Sequence, residues 1–229
     1  MSSNPLSTFI SRLFIRPKKE AIPTMPWSAD DPFLRRPKPS TMFVLIFGLT
    51  IFGLGDAVIV SAVWGVTPWT VLAMGLAEQL GTTIGRATFL VSIIVLALWI
   101  PLREKPGIGT LLNIIIIAAM IDIALPHLPT PTSTSASLLT VIAGTALIAI
   151  GSGFYLTANL GPGPRDGWMT GLHRKTGISI GIVRTVIECT ALLLGWMLGG
   201  DVGFGTLVFA FTIGPMVSGV LWVLSKKKI

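Results

Sequence analysis

Gly65-Val-Thr-Pro-Trp69 and Gly161-Pro-Gly-Pro-Arg165 are the two stretches on which the reading of this chain turns. The second begins 96 positions after the first, and sliding the chain by that distance without a gap superposes residues 41–122 on 137–218. Gly48, Gly55, Gly65, Gly75, Gly81, Gly85, Gly107 and Gly109 fall on Gly144, Gly151, Gly161, Gly171, Gly177, Gly181, Gly203 and Gly205. Pro68/Pro164, Leu76/Leu172, Ile84/Ile180, Thr110/Thr206 and Leu111/Leu207 join them. Eight of the nine glycines in the first stretch are matched, where about one match is expected by chance, so the chain is an internal duplication.

Around these stretches the sequence is strongly apolar. Hydrophobic residues make up 52% of 229 positions and charged residues 12%, and mean hydropathy is +0.79. So little charge cannot cover a water-soluble surface. Six apolar segments, at 41–64, 84–101, 107–125, 137–160, 180–198 and 204–225, each approach the roughly 20 residues that cross a bilayer as a helix. The two opening stretches lead segments too short and polar to be spans, Gly65–Thr83 and Gly161–Ser179. In each, Pro68 or Pro164 suits a first helical position, where its missing N–H is no loss. Thr67 and Gly163 suit the cap before it, and Gly81 and Gly177 suit the end. The expected fold is an all-α membrane protein. It has six transmembrane helices in two inverted three-span repeats, each with a short Pro-initiated helix after its first span. That helix lies at the interface or dips into the membrane.

The inversion follows from the odd number of spans per repeat, the plan of many transporters. Charge supports it independently. With both termini cytoplasmic, segments 1–40, 102–106, 161–184 and 226–229 hold 16 of the 17 Lys and Arg residues, leaving Arg86 outside. The domains are then a basic cytoplasmic lead, 1–40; repeat 1, 41–125; a Pro/Ser/Thr-rich external linker, 126–136; and repeat 2, 137–229, ending in Lys226, Lys227 and Lys228. Within the lead, Leu6, Phe9, Ile10, Leu13 and Phe14 suit a short helix on the membrane surface or a tail, and residues 17–40 an extended linker. The net charge of +7 is a topology signal, and no aromatic-interleaved basic groove points to nucleic acid.

Ionisable residues at membrane depth are the candidates for function. Asp56 follows Gly53-Leu-Gly55, and its repeat mate is Ser152, between Gly151 and Gly153. A carboxylate there suits a cation, a proton or an amine, or else a hydrogen bond to a neighbouring helix. Arg165 and Asp166 open the second short helix, where Asp suits the dipole and Arg suits an acidic solute, lipid phosphate or a local bond. Glu188 has Arg184 one turn earlier, so the two are expected to neutralise each other. Asp122, near the end of the third span, suits a cap. The single cysteine, Cys189, is expected to be packed and inert. No metal-ligand spacing, nucleophile–base pair or phosphate loop is visible, so neither enzymatic activity nor a cofactor or metal is expected.

Leu160-Gly-Pro-Gly-Pro-Arg-Asp-Gly-Trp168, Gly171-Leu-His-Arg174, Ile187-Glu-Cys-Thr-Ala-Leu-Leu-Leu-Gly-Trp196, Val202-Gly-Phe-Gly-Thr206 and Ile213-Gly-Pro215 resemble the YczE/YyaS/YitT-like family of bacterial integral membrane proteins. Thr67-Pro-Trp69, Pro106-Gly-Ile-Gly-Thr110 and Ile121-Asp122 extend the resemblance over about residues 41–225. Thr70 departs from it, standing where such proteins often carry an acidic residue. The resemblance implies the bacterial cytoplasmic membrane and leaves activity undefined. The expected function is a permease for a small solute or lipid-like molecule, with Asp56, Ser152, Arg165, Asp166 and Glu188 around the substrate. The alternative is a scaffold, assembly factor or accessory subunit of a membrane complex. Expected partners are the bilayer, a solute, and a second copy or another membrane protein.

Overall fold

A computed structural model describes residues 22–226. The surface helix expected over Leu6–Phe14 and the terminal Lys227 and Lys228 lie outside the described residues. The described residues form eight α-helices and no strand. They are α1 (Pro39–Ser61), α2 (Pro68–Leu80), α3 (Ile84–Ala97), α4 (Ile108–Ala124), α5 (Thr134–Ala158), α6 (Pro164–Thr176), α7 (Ile180–Met197) and α8 (Phe204–Lys226). α1, α3, α4, α5, α7 and α8 are long and apolar enough to cross a membrane, α3 and α4 with the help of the 3-10 turns that follow them.

The short helices are built as their sequences dictate. Pro68 and Pro164 stand at their first turns, Thr67 accepts from the Thr70 N–H, and Gly81 and Gly177 close them in the left-handed conformation. The duplication is written into the backbone. The left-handed residues pair at an offset of 96: Val63 (φ 48°) with Asn159 (53°), Gly65 (95°) with Gly161 (107°), Gly81 (61°) with Gly177 (73°), and Arg103 (57°) with Gly199 (99°).

α1 and α5 form the centre. A Cβ on Gly48 would sit 2.9 Å from the Gly151 carbonyl oxygen, and one on Gly55 would sit 2.7 Å from that of Gly144. The lower number on α1 meets the higher on α5, so the two helices cross antiparallel, backbone against backbone. Further contacts cross between the halves. α2 packs on α7, and α6 on α3. The Gly109 N–H donates to the Leu160 carbonyl and its mate, the Gly205 N–H, to the Trp64 carbonyl, both at 2.7 Å. Gly107 lies against Gly161 as Gly65 lies against Gly203.

The lead is tied down over residues 25–32, not a free linker. Ala29 donates to the Ala158 carbonyl at 3.0 Å, Asn159 returns a bond to Ala29 at 2.7 Å, and Ser28 and Trp27 bond Thr157. These bonds satisfy carbonyls that the end of α5 leaves free. Cys189 is exposed on α7, contrary to the packed position expected, because only Val183, Ile187, Ala191 and Gly195 of that helix are buried. Asp122 does act as a cap, accepting from Thr83 Oγ1 at 2.5 Å and the Gly85 N–H at 2.8 Å at the start of α3.

The glycine seam predicts a contrast. Gly55→Ala forces α1 and α5 apart and is expected to destabilise by about 1–3 kcal/mol. Gly181→Ala, where an added Cβ meets nothing within 4 Å, is expected to stay within about 0.5 kcal/mol. Thermal unfolding of the purified variants in detergent measures both; equal effects contradict the seam.

Candidate functional site

The starts of α2 and α6 face each other across one cavity of about 230 Å³. All five residues singled out from the sequence, Asp56, Ser152, Arg165, Asp166 and Glu188, line it. The wall is built largely from repeat mates, among them Asp56/Ser152, Pro68/Pro164, Trp69/Arg165, Thr88/Arg184, Ser92/Glu188 and Ile117/Ile213. The Arg165 guanidinium carbon lies 4.8 Å from the centroid of the Trp69 ring. A residue in contact with its own mate lies on the axis relating the halves, so the cavity sits on that axis.

Each half supplies one carboxylate and one hydroxyl at these positions, with the places exchanged. In the first half the carboxylate is on the span (Asp56) and the hydroxyl on the short helix (Thr70). In the second the hydroxyl is on the span (Ser152) and the carboxylate on the short helix (Asp166). Thr70 Oγ1 donates to Asp56 Oδ1 at 3.3 Å, so in the 2.7 Å contact between Thr67 and Thr70 it is Thr67 that donates. Asp166 lies in the first turn of α6, where it suits the helix dipole, and its carboxylate also accepts from Tyr155 OH at 2.7 Å. Glu188 pairs with Arg184 Nε at 3.0 Å, as its spacing predicts.

Arg165 is different. Its charge acts on Asp56, Asp166 and Glu188, yet among the described residues the ion pairs within 4.0 Å are Arg174–Glu104 and Arg184–Glu188. Its half-buried side chain lies over Trp69 and lines the cavity. Pro164, one residue before it, is fixed by Trp99 Nε1, which donates to the Pro164 carbonyl at 2.8 Å. The N-termini of both short helices add their positive dipole ends to the same space.

Residues 39–221 match a family of unknown function, DUF6198. The chain belongs to that family. It is 40% identical over 212 residues to an uncharacterized protein of Haemophilus influenzae, covering 93% of this chain and 96% of the relative. It is 32% identical over 174 residues to the uncharacterized membrane protein YczE of Bacillus subtilis, covering 76% and 78%. It is 27% identical over 165 residues to YyaS of the same organism, covering 70% and 82%. No solved structure matches. These similarities fit the resemblance seen in the motifs and, with the six apolar helices, make this DUF6198 chain a polytopic membrane protein.

Sequence reasoning missed Tyr155 and Trp69 as site residues, and noted Thr70 only as a departure from the family pattern. Tyr155 is the sole tyrosine of the chain and faces Ile59 in the repeat alignment, a difference between mates that marks it. Tyr155→Phe removes the donor that holds Asp166 and is expected to destabilise by about 1–3 kcal/mol. Thermal unfolding measures it; an unchanged melting temperature contradicts the bond.

Proposed function

We propose that this chain is a transporter of a small solute or lipid-like molecule in the bacterial cytoplasmic membrane, with both termini cytoplasmic and two halves inverted across the bilayer. The observation that supports it best is the cavity on the axis between the halves, walled by the starts of both short helices. A site held between two antiparallel halves opens to one side or the other as the halves rock, without rebuilding its wall. Outside the cavity, which holds Arg165 and Arg184, the described basic residues support the orientation. Arg35, Arg36, Lys38, Arg103, Lys105, Arg174, Lys175 and Lys226 fall in the segments assigned to the cytoplasm, and Arg86 falls outside.

In this reading Arg165 receives the acidic part of the solute, since among the described residues it has no ion pair. Asp56 and Asp166 accept from a basic part or a coupling proton, and Ser152 from a polar edge. Glu188 sets the position of Arg184 at the rim. No step requires bond chemistry, a cofactor or a metal.

Flux into vesicles reconstituted with the purified protein tests the proposal. Asp56→Asn and Arg165→Ala are each expected to cut flux at least about tenfold, a loss of about 1.4 kcal/mol. Flux indifferent to both, together with a stoichiometric partner on co-purification, transfers the case to the scaffold reading.

A further inference from the structure

The two halves match closely except at one seam. In the first half α3 packs on α4, with Asp122 bonded to Thr83 and to the Gly85 backbone. The mates of Gly85 and Ala118 are Gly181 and Gly214, and a Cβ on either meets nothing within 4 Å. α7 and α8 therefore stand apart. Gly85 and Thr88 are buried, whereas their mates Gly181 and Arg184 are exposed. The gap opens onto the cavity: Arg184 and Glu188 line it from α7, and Phe209, Ile213 and Val217 from α8. It runs along the first half of α7, up to Glu188, and the middle of α8, between outward faces as apolar as Val186, Leu193, Leu207 and Phe211. Across a membrane, such an opening faces hydrocarbon and not water.

Inside, the cavity offers both signs. With Arg184 closed on Glu188, what remains on the wall is the Arg165 guanidinium together with Asp56 and Asp166, each of which accepts one hydrogen bond from a neighbouring hydroxyl. A purely anionic group would meet two carboxylates, and a purely cationic one would meet the unpaired guanidinium. A head carrying an oxyanion and an ammonium satisfies all three. A volume of about 230 Å³ suits such a head and little more, below the roughly 300–1,000 Å³ of pockets that hold whole drug-sized ligands.

We propose that the transported molecule is a zwitterionic amphiphile: its phosphate or carboxylate lies on Arg165, its amine lies between Asp56 and Asp166, and its hydrocarbon tail leaves sideways between α7 and α8. This rests on the transport reading for its biological sense, while the binding it describes stands on the cavity and the gap alone. Pro215 interrupts α8 next to Gly214, which gives the wall beside the gap a point at which to bend.

The test is a thermal-shift titration of the delipidated full chain with lysophosphatidylethanolamine, lysophosphatidylglycerol and phosphoethanolamine. The first is expected to bind about tenfold tighter than the second and about a hundredfold tighter than the third. Arg165→Ala and Asp56→Asn are each expected to weaken it about tenfold, with Arg165→Lys in between. Gly214→Phe adds bulk on the side of α8 where an added Cβ meets nothing within 4 Å. It is expected to weaken the amphiphile similarly, with the unliganded melting temperature unchanged. Equal binding of the two lysolipids overturns the amine. Phosphoethanolamine binding as tightly as its lysolipid, or Gly214→Phe without effect, overturns the lateral tail. An amphiphile bound as described but not moved in vesicles contradicts transport and leaves this inference standing. Flux of a soluble solute that depends on Asp56 and Arg165, with no amphiphile bound, does the reverse.

Discussion

The contact of α1 with α5 through Gly48, Gly55, Gly144 and Gly151 is the constraint from which the rest of the molecule follows. In lipid there is little hydrophobic gain in bringing two apolar helices together, so association depends on close packing, which small residues permit. Here the glycines allow backbone to touch backbone, and the antiparallel crossing brings Asp56 and Ser152 to the wall of the same cavity. The loops that follow, from Trp64 and Leu160, are then held by the third spans of the opposite halves. Each short helix is laid over the second span of the other half. That exchange is what makes the two helix starts meet.

A cavity with five ionisable groups in an apolar fold survives because most of its charges have partners. Glu188 neutralises Arg184, Tyr155 donates to Asp166, and a chain from Thr67 through Thr70 ends on Asp56. Arg165 is stabilised by Trp69 and by the nearby carboxylates without a direct pair. A guanidinium that lines a cavity with no ion pair among the described residues is suited to an oxyanion. The repeat mates differ in a consistent way: four of the charges lie in the second half, where the first carries hydroxyls at Thr88 and Ser92 opposite Arg184 and Glu188.

Much of this was legible in the sequence because it is local or periodic. Span length, the Pro68 and Pro164 helix starts, the Gly81 and Gly177 ends and the Arg184–Glu188 pair each depend on spacing within one element. The candidate residues were chosen by their cost in lipid, and the fold brings Asp56, Ser152, Arg165, Asp166 and Glu188 to one wall. What escaped depends on contacts between halves or on contacts that are missing. The stack of Arg165 on Trp69 needs the axis. The anchoring of Trp27–Ala29 on the end of α5 needs that helix end in three dimensions. The exposure of Cys189 depends on which face of α7 is buried, through Val183, Ile187, Ala191 and Gly195, and that needs the neighbouring helices.

Opposite orientation of the two halves is the claim on which the shared site rests, and side-specific labelling reaches it directly. Leu80 and Thr176 are repeat mates, each the last residue of its short helix, and both are exposed. Single cysteines at these two positions, in a Cys189→Ser background, can be treated with a membrane-impermeant maleimide in intact cells and after permeabilisation. Labelling of Leu80→Cys in intact cells, with Thr176→Cys labelled only after permeabilisation, is the expected result. Labelling of both from the same side contradicts the inversion and, with it, a site shared between two opposed halves.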